Sequence, residues 1–228
     1  MSETRKHPAR FPDRILRVAA PHFAGCKRIV DPFAGTGRFA RIKLFEPSLA
    51  DTEFWASDLE PEWLIGCREH PVNLAVVADA RRLPWATSSA DGALTSVVYP
   101  NRMTDSHTQG AGDTSVRNTY THRLGRKLSK GNAGAMRWGP AYKRLHIQFY
   151  WEMYRVLKPG GVLAVNIKNH MVKGRVIPAA EWHRFAGQRC GFSLVSEERI
   201  ATTGLRFGAN HTQRVDHEML YVFNRNGR

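Results

Sequence analysis

The sequence predicts an α/β sandwich around a mostly parallel sheet, and three observations carry that prediction. Short apolar strands that each close on an aspartate recur at Asp31, Asp58 and Asp79. Segments with helical apolar spacing alternate with them, which is the pattern of strand, helix, strand units. No internal repeat breaks the order, and 228 residues with 42% hydrophobic character suit one domain with a sizeable core.

Taken in order, residues 1–10 are polar and basic, and Asp13 to Ala20 reads as a capped helix. Ile29 and Val30 suit a buried strand ending at Asp31, Gly35 and Gly37 allow a sharp turn against a ligand, and Phe39 to Glu46 reads as a helix. Thr52 to Asp58 is the second strand, with Pro61 opening a helix to about Glu69. Leu74 to Asp79 is the third strand and Asp91 to Pro100 the fourth.

Residues 101–144 hold no long apolar period and are rich in Gly, Asn, Ser, Thr and basic residues, so they read as an inserted loop region of the single domain 1–228. Ala141 to Leu157 has apolar residues at helical spacing, and Leu157-Lys-Pro-Gly-Gly161 turns into a fifth strand, Val162 to Ile167. Lys168 to Arg175 reads as a basic loop, Pro178 to Arg189 as a helix, and Phe192 to Thr202 with Asp216 to Asn224 as two final strands. Between those strands, Gly204 to His211 is too long for a tight hairpin and reads either as a reach toward nucleic acid or as a solvated tip.

Lys and Arg number 34 against 20 acids, a net charge of +14, and polyanion binding is the natural partner class for such a surface. The 101–144 region alone carries nine Lys and Arg against Asp105 and Asp113, half of the chain's excess. Arg102, Arg117, Arg123, Arg126, Lys127, Lys130 and Arg137 are the candidate nucleic-acid contacts there, with Tyr120 and Trp138 interspersed for base stacking. Three scattered cysteines without Cys-x-x-Cys spacing argue against a disulfide framework and a zinc cluster, and ten histidines lack the His-Glu-x-x-His pattern, so no metal is expected. The sequence has no apolar run of about 18 residues, and its N-terminus is charged, so a soluble, cytoplasmic protein is expected.

The strand, glycine turn and helix at Arg28 to Ala40 form a nucleotide site, and Gly35-x-Gly37-x-x-Ala40 with Asp58 further on also satisfies the dinucleotide fingerprint. A pyrophosphate at a helix start disfavours a carboxylate as close as Asp31, whereas a cationic ligand tolerates it. Asp31-Pro-Phe-Ala-Gly-Thr-Gly37 in full resembles motif I of the class I S-adenosylmethionine-dependent methyltransferases, in particular those acting on amino groups of nucleic-acid bases. His7-Pro-Ala-Arg-Phe-Pro12 resembles their motif X, Thr52 to Asp58 their motif II, and Leu74 to Asp79 their motif III. The resemblance implies a Rossmann-like sheet of seven strands with an antiparallel C-terminal strand. It places S-adenosylmethionine against Phe11, Asp31, Phe33, Ala34, Gly35, Gly37, Asp58, Leu59, Asp79, Ala80 and Ser96. Within that set Asp58, with Glu60 as a second candidate, takes the ribose diol, and Asp79 and Ala80 take the adenine edge.

The catalytic motif of the resembling enzymes is Asp, Asn or Ser, then Pro-Pro, then Tyr or Phe; here it is Ser96-Val97-Val98-Tyr99. An exocyclic amine is a weak nucleophile, because its lone pair is delocalised into the ring. A site therefore needs acceptors that hold the amino hydrogens and leave the lone pair facing the methyl group. Ser96 Oγ and the Val97 carbonyl are the candidates, with Tyr99 stacking on an extruded base. Pro-Pro would fix φ near −65° twice, a stiffness that Val-Val does not reproduce. The implied function is methylation of cytosine N4 or adenine N6, with DNA favoured and an RNA base methyltransferase as one alternative. A catalytically inactive nucleic-acid-binding relative is the alternative from another class.

Overall fold

A computed structural model describes residue 7 and residues 11–100, 120–172, 175–202 and 215–227. Seven strands form one sheet: β1 (Arg28–Asp31), β2 (Glu53–Asp58), β3 (Leu74–Val77), β4 (Ala90–Ser96), β5 (Leu157–Ile167), β8 (Phe192–Ala201) and β9 (His217–Arg225), in the order β3-β2-β1-β4-β5-β9-β8. The first five pair in parallel, while β9 runs antiparallel to both β5 and β8. Two order reversals follow, one of them between β1 and β4, so the carboxyl ends of those two strands flank a crevice. That switch point is where open α/β sheets bind ligands.

Both sheet faces are covered. Helix α1 (Asp13–Ala19) buries Ile15 and Leu16 against a cluster with Phe39, Phe54 and Leu220. On the opposite face, α4 (Pro140–Val156) and α5 (Ala179–Arg189) pack Phe149, Met153, Val156 and Ala186 against Leu163, Val165 and Phe223. The buried positions Leu145, Phe149, Met153 and Val156 recur at three- and four-residue spacing, so one stripe of α4 faces the sheet. Each fully buried Leu, Met or Phe contributes roughly 1.5–3 kcal/mol relative to exposure. Cys26, Cys67 and Cys190 are buried free thiols, and among the described residues no helix is long and apolar enough to cross a membrane.

Several expected elements take a different form. The segment after the glycine turn is a 3-10 helix, Arg38–Leu44, and only Pro61–Leu64 (α2) is α-helical before a 3-10 stretch, Ile65–Glu69. Helix α1 has Pro12 at its N-cap with no side-chain cap; Asp13 instead binds the guanidinium groups of Arg38 and Arg41, each at 2.8 Å. Strand β3 stops at Val77 and is the sheet edge, with Leu74 and Val77 exposed. Strand β4 ends at Ser96, leaving Val97 to Tyr99 irregular. The basic stretch after β5 contains a small hairpin, β6 (His170–Val172) with β7 (Arg175–Ile177). In β5 the register with β4 jumps from Leu157 to Val162 over the Lys-Pro-Gly-Gly turn.

The part of the insertion that is described is not a loop. It holds α3 (Tyr120–Leu124), a 3-10 turn at Ala133–Ala135 and the start of α4. Arg102 and Arg117 lie outside the described residues, as does Gly204 to His211.

Candidate functional site

The glycine turn is shaped by two close approaches. Gly37 has φ +77°, and a Cβ there would lie 2.8 Å from both Cys67 Sγ and Val72 Cγ2, so conformation and space both require glycine. Gly35, at φ +53°, packs under the His7 imidazole and donates its N–H to Asp58 Oδ2 at 2.8 Å. Asp58 Oδ1 accepts from the Glu60 amide at 2.9 Å, so this carboxylate pins the turns after β1 and β2 together. Each carboxylate oxygen has a second lone pair, which leaves acceptor capacity toward the crevice.

Asp31 is 2% exposed at the end of β1, with Oδ1 accepting from the Phe33 amide at 2.9 Å. Burial pushes its pKa up to about 7, against the pull of the Thr95 hydroxyl and the Phe33 amide. Thr95 Oγ1 itself stands without a hydrogen bond of proper geometry, so its hold on Asp31 is loose. Burial also raises Asp58, to about 6, although its side chain is partly open to the crevice. A site keeping two carboxyls near neutrality without a ligand is prepared for a cationic one, whose charge offsets the desolvation of both.

One pocket gathers residues from four of the segments singled out in the sequence, those around Phe11, Asp31, Asp58 and Ser96, and none from Leu74 to Ala80. Phe11, Asp31, Phe33, Ala34, Gly35 and Asp58 line it, and so do Ser96, Val97 and Tyr99. Gly37, Leu59, Asp79 and Ala80 are not on its lining. Gly37 acts by permitting the turn. Asp79 faces a separate open hollow beside Arg81, Arg82, Trp151 and Glu152. Its Oδ1 accepts from the Arg81 amide at 2.9 Å, and the Arg81 guanidinium grips both of its oxygens. Burial alone would raise this carboxyl, but those Arg81 contacts outweigh it and hold its pKa below the usual value. The Asp79 carboxylate closes a turn with the arginine two residues on.

The catalytic loop lies on the same pocket. Asn166 Nδ2 on β5 donates to Ser96 Oγ at 3.3 Å and to Glu218 Oε2 at 2.8 Å, while the Val97 N–H donates to the Asn166 carbonyl at 3.2 Å. The Val97 side chain is buried in the core, and no described residue donates to its carbonyl oxygen. The Val98 carbonyl accepts from the Tyr142 hydroxyl at 2.9 Å.

Glu60, the second ribose candidate, is fully buried and does something else. Its two oxygens accept from Arg126 Nη2 at 2.7 Å and from the Ser129 amide, the Ser129 hydroxyl and Asn132 Nδ2, each at 2.8 Å. Arg126 also binds Glu62 through Nε at 2.7 Å and Nη2 at 2.6 Å. Arg126 is thus an internal anchor of the insertion, tied to two glutamates. Lys127, Lys130 and Arg137 are exposed on the same segment, as is Arg123.

His7 and Tyr120 also line the pocket, together with Trp63 and Asn132, which the sequence reading passed over. His7 meets Trp63 edge-on at 4.7 Å and Tyr120 at 5.3 Å between ring centroids. Nothing local in the sequence marks Trp63 and Asn132, since the segments that carry these four residues meet only in the folded chain. Among the described residues no group of three His, Cys, Asp or Glu could hold a metal ion.

The sheet order is that of the class I methyltransferase fold, and solved structures that resemble this chain share that fold. A methyltransferase from Haloferax volcanii, in complex with the Trm112 methyltransferase activator, is 15% identical, with TM-score 0.55 over 95% of this chain and 91% of that one. The 1,6-didemethyltoxoflavin-N1-methyltransferase of Burkholderia thailandensis, holding its substrate and S-adenosylhomocysteine, is 14% identical, with TM-score 0.51 over 94% and 78%. The [4+2]-cyclase SpnF is 16% identical, with TM-score 0.58 over 95% and 82%. No protein-family profile and no curated relative matches the sequence. At this identity the likeness defines the fold; the cyclase among the three shows that the fold alone does not define the reaction.

Proposed function

We propose that this chain is an S-adenosylmethionine-dependent methyltransferase acting on an exocyclic amino group of a nucleic-acid base, cytosine N4 or adenine N6, in DNA rather than RNA. One observation carries the reading: the glycine turn with Asp31 and Asp58 shares a single pocket with Ser96, Val97 and Tyr99. A cationic nucleoside and an acceptor pair for an amine thereby meet on one surface.

The chemistry supplied by S-adenosylmethionine when bound is an electrophilic methyl group. Everything else falls to this chain. Asp58 and the Gly35 turn hold the ribose side, and Asp31 offers a buried carboxylate to the cationic end. Ser96 Oγ and the Val97 carbonyl accept the two amino hydrogens of the base and direct its lone pair; Asn166 keeps Ser96 in place. Tyr99 stacks on the extruded base. Tyr120 and Asn132 bring the basic insertion to the pocket, and the exposed Lys127, Lys130 and Arg137 of that segment are the phosphate contacts in this reading.

The competing reading is a nucleic-acid-binding relative without turnover, and Val97-Val98 in place of two prolines is what favours it. Incubation with tritiated S-adenosylmethionine and mixed genomic DNA or total RNA, followed by nucleoside mass spectrometry, separates the two. Methylcytosine or methyladenine formed by wild type and lost in Ser96→Ala supports the enzyme. No incorporation into either polymer, with cofactor binding confirmed, refutes it.

A further inference from the structure

A buried polar chain lies directly behind the catalytic loop, formed by residues that none of the assignments above uses. Tyr142 on α4 and His183 on α5 are both 0% exposed. The Tyr142 hydroxyl is 2.9 Å from the Val98 carbonyl and 3.2 Å from His183 Nε2. The Tyr150 hydroxyl is 3.1 Å from His183 Nδ1 and 3.1 Å from the His183 carbonyl. A carbonyl only accepts, so the Tyr142 proton points to Val98, and Nε2 must carry the proton that Tyr142 Oη receives. Nδ1 is then unprotonated, and the single Tyr150 proton is shared between two acceptors, Nδ1 and the His183 carbonyl. Every member is satisfied by one neutral arrangement, and hydrogen bonds in such a chain reinforce each other. Burial and the neighbouring His146 push the His183 pKa well down, which keeps it neutral. The Tyr142 ring is wedged by Trp138 and His146, at 5.4 and 4.1 Å between centroids, and cannot swing away.

The peptide geometry gives this chain a purpose. The Val97 N–H to Asn166 carbonyl bond fixes the peptide plane between Ser96 and Val97. The Tyr142 bond fixes the plane between Val98 and Tyr99. The Val97 carbonyl belongs to the plane between those two, bracketed on both sides. Two prolines would reach the same stiffness by locking φ.

We propose that Tyr142 is a positioning residue of the 96–99 loop, held by His183 and Tyr150, whose hydroxyl tethers the Val98 carbonyl and so aims the Val97 carbonyl and Tyr99. The inference rests on the methyltransferase reading of that loop, and its test separates the two. In Tyr142→Phe, backbone order parameters by NMR should fall at Val98 and Tyr99 from about 0.85 toward about 0.6, while Leu94 and Thr95 in the adjoining strand stay rigid. S-adenosylhomocysteine affinity should stay within about threefold, and turnover should drop about tenfold or more, the mark of a contact that acts on the reacting geometry. Should Tyr142→Phe not fold, His183→Gln carries the same comparison, since it removes the group that holds the hydroxyl. Unchanged order at Val98 and Tyr99 in a folded variant overturns the proposal, and so does a loosened loop with full turnover. A wild type that transfers no methyl group defeats the proposed function instead, and the order parameters then decide the positioning role alone.

Discussion

Replacing Glu60 by Gln keeps the side-chain volume and removes the charge on which the insertion is anchored. In the wild type Oε1 accepts from the Ser129 amide and Asn132, and Oε2 accepts from the Ser129 hydroxyl and Arg126. The new amide NH2 is tolerated only at the Oε2 position, because a hydroxyl can turn and accept while a backbone N–H cannot. The interaction lost is then the Arg126 contact at 2.7 Å. A hydrogen bond to a charged group contributes about 1.5–3 kcal/mol. Arg126 keeps Glu62, and its side chain is 37% exposed, so solvent screening places the loss in the lower part of that range, about 2 kcal/mol. For a chain of this size that is roughly a 4–8 °C lower melting temperature. Glu60→Ala should fall further, because the Ser129 amide and Asn132 also lose their acceptor. Calorimetric melts at pH 7.5 and fixed salt provide the measurement. A Glu60→Gln protein melting within about 1 °C of wild type would show that the buried carboxylate does not hold the insertion.

Three further outcomes follow from the site. With Asp31 raised to about 7, S-adenosylmethionine affinity should climb about tenfold from pH 6 to pH 8 as the carboxyl ionises, and Asp31→Asn should flatten that profile in titration calorimetry. The sign for the unliganded protein is opposite: a carboxyl raised from 3.8 to about 7 costs stability as it ionises, so this contribution should fall as pH rises through that interval and level off above it. Neutralising Lys127, Lys130 and Arg137 together should reduce the slope of log affinity against log salt by up to about 0.9 per lost phosphate contact, whereas Arg126→Gln should lower the melting temperature and leave the slope alone. An unchanged slope in the triple variant would remove the insertion from the nucleic-acid surface. Gly37→Ala should destabilise the chain by about 1–3 kcal/mol, since a Cβ must displace Cys67 and Val72 in a left-handed backbone, and denaturant titration reads that loss directly.

The mostly parallel sheet and the glycine turn of the site were legible because strand-closing aspartates and a glycine turn are local signals. Asp31 and Asp58 reach one pocket because β1 and β2 are parallel neighbours, with Asp31 opposite Ala56 and Asp58 only two residues further along. Asp79 has the same local signature and goes elsewhere. Strand β3 is an exposed edge that ends two residues earlier, and Arg81 is near enough in sequence to capture the carboxylate. The insertion was misjudged for a related reason. Its composition is that of a solvated loop, and the buried Glu60 that organises it lies nearly seventy residues away. Composition could not distinguish Arg126, bound to two glutamates, from Lys127 and Lys130 beside it.

The bond from the Val97 amide to the Asn166 carbonyl also orders the mutational routes open to this loop. Proline at 97 forfeits that donor and unfastens the loop from β5, whereas no described residue accepts from the Val98 amide, so proline at 98 forfeits nothing of the kind. The two valines are therefore unequal neighbours. A descendant of this sequence drifting toward a proline-bearing loop meets an open step at the second position and a barrier at the first, and the barrier falls only once the pairing with Asn166 has been given up.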